Sequence, residues 1–133
     1  MRKVIAAINM SLDGFCDHTA MTADEELHQH YTDLISDGGV LLYGRITYQL
    51  MEYWRPMVEH PTDEKSMNDF ALAIDKIPKI VFSHTLKNVH WASARLATRD
   101  LQAEVLQLKR TNLKLLKSKP FGSGATVLYY EKA

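Results

Sequence analysis

Three short segments combine residue types that can hold an anion or move a proton. The first runs Leu41, Leu42, Tyr43, Gly44, Arg45, Ile46, Thr47, Tyr48. Its glycine follows a short apolar run and precedes apolar residues at helical spacing, so it marks a strand-to-helix turn. In an open α/β sheet, ligands bind outside the carboxyl ends of the strands. Glycine lets the backbone approach a ligand closely, and the amides and dipole of a helix start favour an anion. Arg45 offers a planar fork for phosphate, and Thr47 adds a hydroxyl. The alternative is a plain strand–helix turn with a solvated arginine, and the local residues weigh the two evenly.

The second segment, Ser83, His84 and Thr85, follows an apolar run and supplies short hydroxyls at another carboxyl strand end. Taken alone it is weak, because polar residues commonly follow strands; two such turns on parallel strands carry more weight together. The third, Ser11-Leu12-Asp13-Gly14, places a carboxyl group after the first apolar run. Asp13 could orient a polar substrate or donate a proton if its pKa is raised. The competing reading, slightly favoured locally, is an Asp-Gly turn whose carboxylate bonds nearby amides.

Other polar residues are less informative. His28 and His30 are two apart and share no helix face. With no HExxH or paired-cysteine pattern, no metal site is expected, and Cys16 is expected to be inert. Gly122-Ser123-Gly124 precedes Ala125, Thr126, Val127 and Leu128, which read as a strand. A dinucleotide fingerprint requires strand, glycine loop and helix, so this segment reads as a hairpin turn.

The elements that must position these residues follow from periodicity and punctuation. Lys3 to Met10 lacks alternation and fits a strand covered on both faces. Thr22 with Glu25 fits a capping box ahead of Leu27, Tyr31, Leu34 and Ile35 at helical spacing, and Gly38-Gly39 stops that helix. Val40 to Tyr43 is a short strand. Thr47 to Trp54 reads as a short helix ended by Pro56, and Met57 to Lys65 as a polar loop. Ser66 with Asp69 is expected to cap a helix through Asp75, with Phe70 and Ile74 inward. Lys79 to Ser83 is a third strand, entered after Pro78, and Arg95 to Ala97 a short one. Asp100 caps a helix carrying Leu101, Val105 and Leu108. Leu113 to Lys119 and Ala125 to Lys132 read as two strands joined by the turn at Phe121 to Gly124. Strands alternating with helices imply a parallel α/β sheet, with the terminal pair expected as an antiparallel hairpin at its edge.

Bulk properties narrow the partners. The 133 residues suit one domain, 1–133; they are 46% hydrophobic and 24% charged, close to ordinary globular usage. Sixteen basic and sixteen acidic side chains cancel. That argues against a nucleic-acid or anionic-membrane surface while leaving room for a local pocket for one small anion. A single cysteine rules out an intrachain disulfide, and a reducing cytoplasmic setting is expected. The apolar run at the N-terminus is too short for a signal-peptide core or a membrane span.

Three segments in this order, Lys3 to Gly14, Leu41 to Tyr48 and Lys79 to Leu86, resemble the dihydrofolate-reductase-like superfamily. The closest branch is that similar to the reductase domain of bacterial riboflavin biosynthesis, whose last hairpin the stretch from Leu113 to Tyr130 resembles. The resemblance implies a three-layer α/β/α fold with a mostly parallel central sheet, a C-terminal antiparallel hairpin, and an NADPH-dependent reductase. It implies that Gly44, Arg45 and Thr47 meet the cofactor phosphates, that Ser83 and Thr85 lie by the adenosine 2′-phosphate, and that Ala7 lies near the nicotinamide. Asp13 falls at the substrate end, as a polar or acidic group. The family's best-known substrates are pteridines and a ribosylamino-pyrimidine. One departure stands out: the family's further strand, glycine-rich loop and helix have no counterpart here, because Lys109-Arg110 runs almost directly into Asn112-Leu113.

Two functions lead, ahead of a weaker third, a purely structural interaction domain. The first is an NADPH-dependent reductase of a small heterocyclic substrate, with homodimerisation an option. The second is a non-catalytic, nucleotide-binding or dimer-forming relative that has lost part of the cofactor site.

Overall fold

Placement of the two anion-friendly turns depends on a parallel sheet whose strands follow one another in chain order. The computed structural model describes residues 4–19, 21–108, 113–120 and 126–132. In chain order the elements are α1 (Glu25–Ser36), β1 (Leu41–Gly44), α2 (Arg45–Met51), a 3₁₀ turn (Glu52–Trp54), α3 (Pro56–Glu59) and α4 (Lys65–Lys76), then β2 (Lys79–Phe82), β3 (Ala94–Leu96), α5 (Leu101–Leu108), β4 (Leu113–Pro120) and β5 (Thr126–Lys132). The chain folds as two compact units, Glu25–Glu104 in one and Met1–Asp24 with Val105–Ala133 in the other.

In the Glu25–Glu104 unit, β1, β2 and β3 form a parallel sheet in that order. Leu41 pairs with Lys79 and Gly44 with Phe82, while Lys79 pairs with Ala94 and Val81 with Leu96. The inner strand is buried along Lys79, Ile80 and Val81, as its unalternating sequence requires. Helices α1 and α4 pack together. The core gathers Ile35, Phe70, Ile74, Ile77, Val81, Tyr48 and Trp91. Gly38, just past α1, allows a close approach: a Cβ there would stand 3.1 Å from the Ile35 carbonyl oxygen and 3.3 Å from Ile77 Cδ1. Ile74 is wholly buried. Ile74→Ala is therefore expected to cost about 2–5 kcal/mol of unfolding free energy, measured by urea denaturation; a loss well under that range would mean the site collapses around the smaller side chain.

Several local expectations are corrected. Val4 to Met10 belongs to no strand. An apolar run without alternation carries β propensity but no register, and a strand exists only where another backbone completes its ladder. Helix α1 starts at Glu25 rather than directly after Thr22. Pro56 opens α3 instead of merely ending the preceding helix: its missing N–H costs nothing in a first turn, where that group has no intrahelical partner. Helix α4 begins at Lys65, so Ser66 is a buried residue inside it rather than its cap, and Asp69 pairs with Lys65 one turn away. The preceding loop is fastened by Asn68, whose side chain accepts from the Thr62 amide at 2.8 Å and donates to the Thr62 carbonyl at 2.7 Å. Asp100 does cap α5, accepting from the Ala103 amide at 2.7 Å.

In the other unit, β4 and β5 form a two-stranded antiparallel ladder from Leu113↔Lys132 to Pro120↔Thr126, irregular between Leu115 and Lys117. The turn expected at Phe121 to Gly124 lies outside the described residues. No helix among the described residues is long and apolar enough to cross a membrane.

Candidate functional site

The sheet register brings the first two candidate segments together. Gly44, the last residue of β1, stands opposite Phe82, the last of β2. The residues that follow each strand, Arg45 to Thr47 and Ser83 to Thr85, therefore leave the same edge of the sheet side by side. Beyond β3 the Ala97 amide donates to the Val81 carbonyl at 2.8 Å, so Thr98 and Arg99 leave that edge too. Both are exposed. Sequence reading passed over this third turn, because Thr98-Arg99 follows only three residues of strand; the Asp100 cap immediately beyond it was the available signal.

Gly44 has φ −77° and ψ 170°, extended backbone open to any residue. A Cβ there would meet nothing within 4 Å. Neither strain nor crowding inside the fold demands glycine, and the bare backbone leaves room for an outside group to approach. The Arg45 guanidinium donates to Gln49 Oε1 at 3.1 Å and is otherwise exposed to solvent with Thr47. A neutral, exposed partner is readily exchanged for an anion.

The second turn is ordered by its own hydroxyl. Ser83 Oγ accepts from the Thr85 amide at 3.2 Å and the Leu86 amide at 3.0 Å, and lies 3.3 Å from Thr85 Oγ1. His84 and Thr85 are exposed above it. The chain then returns to β3 by a connection without a helix, anchored at its far end. There Trp91 Nε1 donates to Asp75 Oδ1 at 2.7 Å, and Arg55 donates to the His90 carbonyl at 3.3 Å.

At the opposite, amino end of β2 lies a cluster that sequence reading missed. Lys79 is 1% exposed. Its ammonium donates to the Ile77 carbonyl at 2.9 Å and to Ser93 Oγ at 2.7 Å, and sits 4.1 Å from the centre of the Trp91 ring. Burial lowers its pKa to about 8, against the opposing pull of Asp75. No sequence motif announces this group, since its partners come from α4 and from the β2–β3 connection. Burial also raises the pKa of the Tyr43 phenol, one residue before Gly44.

Asp13 and Ala7 lie in the other unit. The Ser11 hydroxyl donates to Asp13 Oδ1, and Gly14, at φ +92°, completes the turn with its amide on the Ser11 carbonyl at 2.9 Å. The carboxylate is thus engaged in a local Asp-Gly turn. Ala7 is exposed and in no ladder. Cys16 is an exposed free thiol.

No family model matches the sequence, and no curated protein matches it. Among solved structures the chain is similar to one from Shewanella sp. PV-4 described as "Putative riboflavin biosynthesis protein". The TM-score is 0.53 at 13% identity, over 95% of this chain and 96% of that one. At that identity the likeness concerns the fold: an α/β chain with a parallel sheet, sharing its architecture with that protein.

Proposed function

We propose that the chain is an NADPH-dependent reductase of a pteridine or ribosylamino-pyrimidine type of substrate, built on a three-layer dihydrofolate-reductase-like fold. The observation that carries this reading is the pairing of Gly44↔Phe82. It sets Gly44-Arg45-Ile46-Thr47 and Ser83-His84-Thr85 on one sheet edge, although 35 or more residues separate them in sequence. The described residues fit a phosphate-bearing nucleotide: a guanidinium, hydroxyls and an uncrowded glycine share the edge where α/β folds bind such ligands.

On this reading Arg45 and Thr47 hold cofactor phosphates, and Ser83 and Thr85 meet the adenosine 2′-phosphate, with Arg99 as a further cation on the same edge. The resemblance assigns Ala7 to the nicotinamide and Asp13, as a polar or acidic group, to the substrate. When bound, NADPH supplies the hydride for a C=N or C=O bond of the heterocycle; the protein's part is binding, orientation and a proton.

Titration with NADPH and NADH, followed by nicotinamide fluorescence, tests the proposal. Binding is expected, tighter for NADPH because the second turn reads the extra phosphate. Failure of both to bind at millimolar concentration overturns it. A second reading, a nucleotide-binding or dimerising relative without turnover, is favoured by the short link between α5, which ends at Leu108, and β4, which starts at Leu113. That link leaves no room for the glycine-rich loop that the resemblance leads one to expect. NADPH oxidation with any pteridine or aminouracil excludes this second reading.

A further inference from the structure

Tyr48 stands one residue beyond Thr47 on α2 and is 2% exposed. Its ring lies 6.4 Å from that of Trp91. Its hydroxyl lies near the Glu52 carboxylate, and near the backbone amides of Trp91 and His90. None of these groups stands at hydrogen-bonding geometry, so the hydroxyl is buried and, among the described residues, unpaired. Burial and the Glu52 charge raise its pKa while the two amides oppose them, so the group is a neutral phenol with one proton to give and lone pairs to receive. Buried hydroxyls are seldom left without a partner. This one has a matching acceptor and matching donors near it, none of them bonded to it in the free chain.

These groups belong to the two halves of the candidate site. Glu52 follows α2, which carries Arg45 and Thr47. His90 and Trp91 end the connection that begins with Ser83 and Thr85. Trp91 donates to Asp75, and His90 accepts from Arg55, which also pairs with Glu52 at 3.7 Å, so the end of α2 and this connection meet around Tyr48.

We infer that Tyr48 is a positioning residue whose hydroxyl closes its hydrogen bonds, donating to Glu52 and accepting from the His90 or Trp91 amide, only when an anion spans the turns after β1 and β2. The inference rests on the nucleotide reading above. A bridging phosphate draws α2 and the connection together, and the bonds then formed strengthen binding without touching the ligand.

The experiment compares the parent with Tyr48→Phe, using NADPH and adenosine 2′,5′-bisphosphate as probes. Because the hydroxyl is unpaired in the free chain, its removal is expected to leave folding stability equal or slightly higher. Affinity for both probes is expected to fall about five- to ten-fold. Amide hydrogen exchange at His90 and Trp91 is expected to slow on saturation in the parent but not in the variant. Equal affinities, or equal slowing in both proteins, overturn the inference and leave the nucleotide reading intact. A large loss of stability in Tyr48→Phe also overturns it, since the hydroxyl would then be bonded in the free chain. Absence of binding by the parent overturns the reading and the inference together.

Discussion

Arg45→Ala is expected to bind NADPH about 10- to 100-fold more weakly than the parent, with the folded state equally stable. A hydrogen bond to a charged partner contributes about 1.5–3 kcal/mol, which spans that range at room temperature. Among the described residues the guanidinium bonds only Gln49, a neutral group four residues away on the same helix face. Losing that exposed contact moves stability by no more than a few tenths of a kcal/mol. Arg45→Lys should recover part of the affinity, since an ammonium keeps the charge but not the planar fork. The parent's affinity should also fall with added salt more steeply than that of Arg45→Ala, because the exposed cation is screened. Calorimetric titration at two salt concentrations, beside a urea melt, checks all three statements. Unchanged affinity in Arg45→Ala removes Arg45 from the site.

The second large effect concerns Lys79 and pH. Its folded pKa of about 8 lies below the ordinary 10.5, so between those values the unfolded chain binds more protons than the folded one. Stability therefore rises with pH across that window. The burial cost of the ammonium is felt in full below pH 8 and vanishes above 10.5. The difference corresponds to about 3 kcal/mol across the window. Tyr43 and Tyr48 work in the opposite sense: their pKa values are raised by burial from 10, so the stability they confer is present below pH 10 and declines above it. The expected profile climbs from pH 8, peaks near pH 10 and falls. In Lys79→Met the climb should disappear while the alkaline fall remains. Urea melts at half-unit pH steps from 7 to 11 decide the matter; a climb persisting in Lys79→Met assigns it to another group.

How much of this was legible in the residues follows from the range of the interactions involved. Helices α1 and α4 declared themselves through Leu27, Tyr31, Ile35, Phe70 and Ile74, because amphipathic spacing is local. The Asp100 cap was equally plain, since donor and acceptor lie three residues apart. Gly44-Arg45 and Ser83-Thr85 were visible singly, but their adjacency depends on a ladder between strands 38 positions apart, from Leu41 to Lys79. The run from Lys3 to Met10 had strand composition, yet its described residues, Val4 to Met10, belong to no strand. Pro56 was misjudged because proline both ends one helix and suits the first turn of the next. Lys79, Trp91 and Asp75 were opaque: a lysine opening a strand reads as a solvated end, and only tertiary packing puts an indole over its ammonium.

The parallel register also acts as a ruler. Neighbouring strands stand about 4.8 Å apart, so the turns leaving β1 and β3 are separated by about 10 Å, with the Ser83 turn midway. One inorganic phosphate beside the Ser83 turn is reached by Arg45 and Arg99 only if both side chains fold inward. If these turns bind the ligand as proposed, engagement of Arg45, Ser83 and Arg99 with extended side chains favours an elongated molecule with anionic groups at two or more points over a compact ion of equal charge. Bisphosphorylated adenosine should therefore outcompete free phosphate by more than its second charge alone explains.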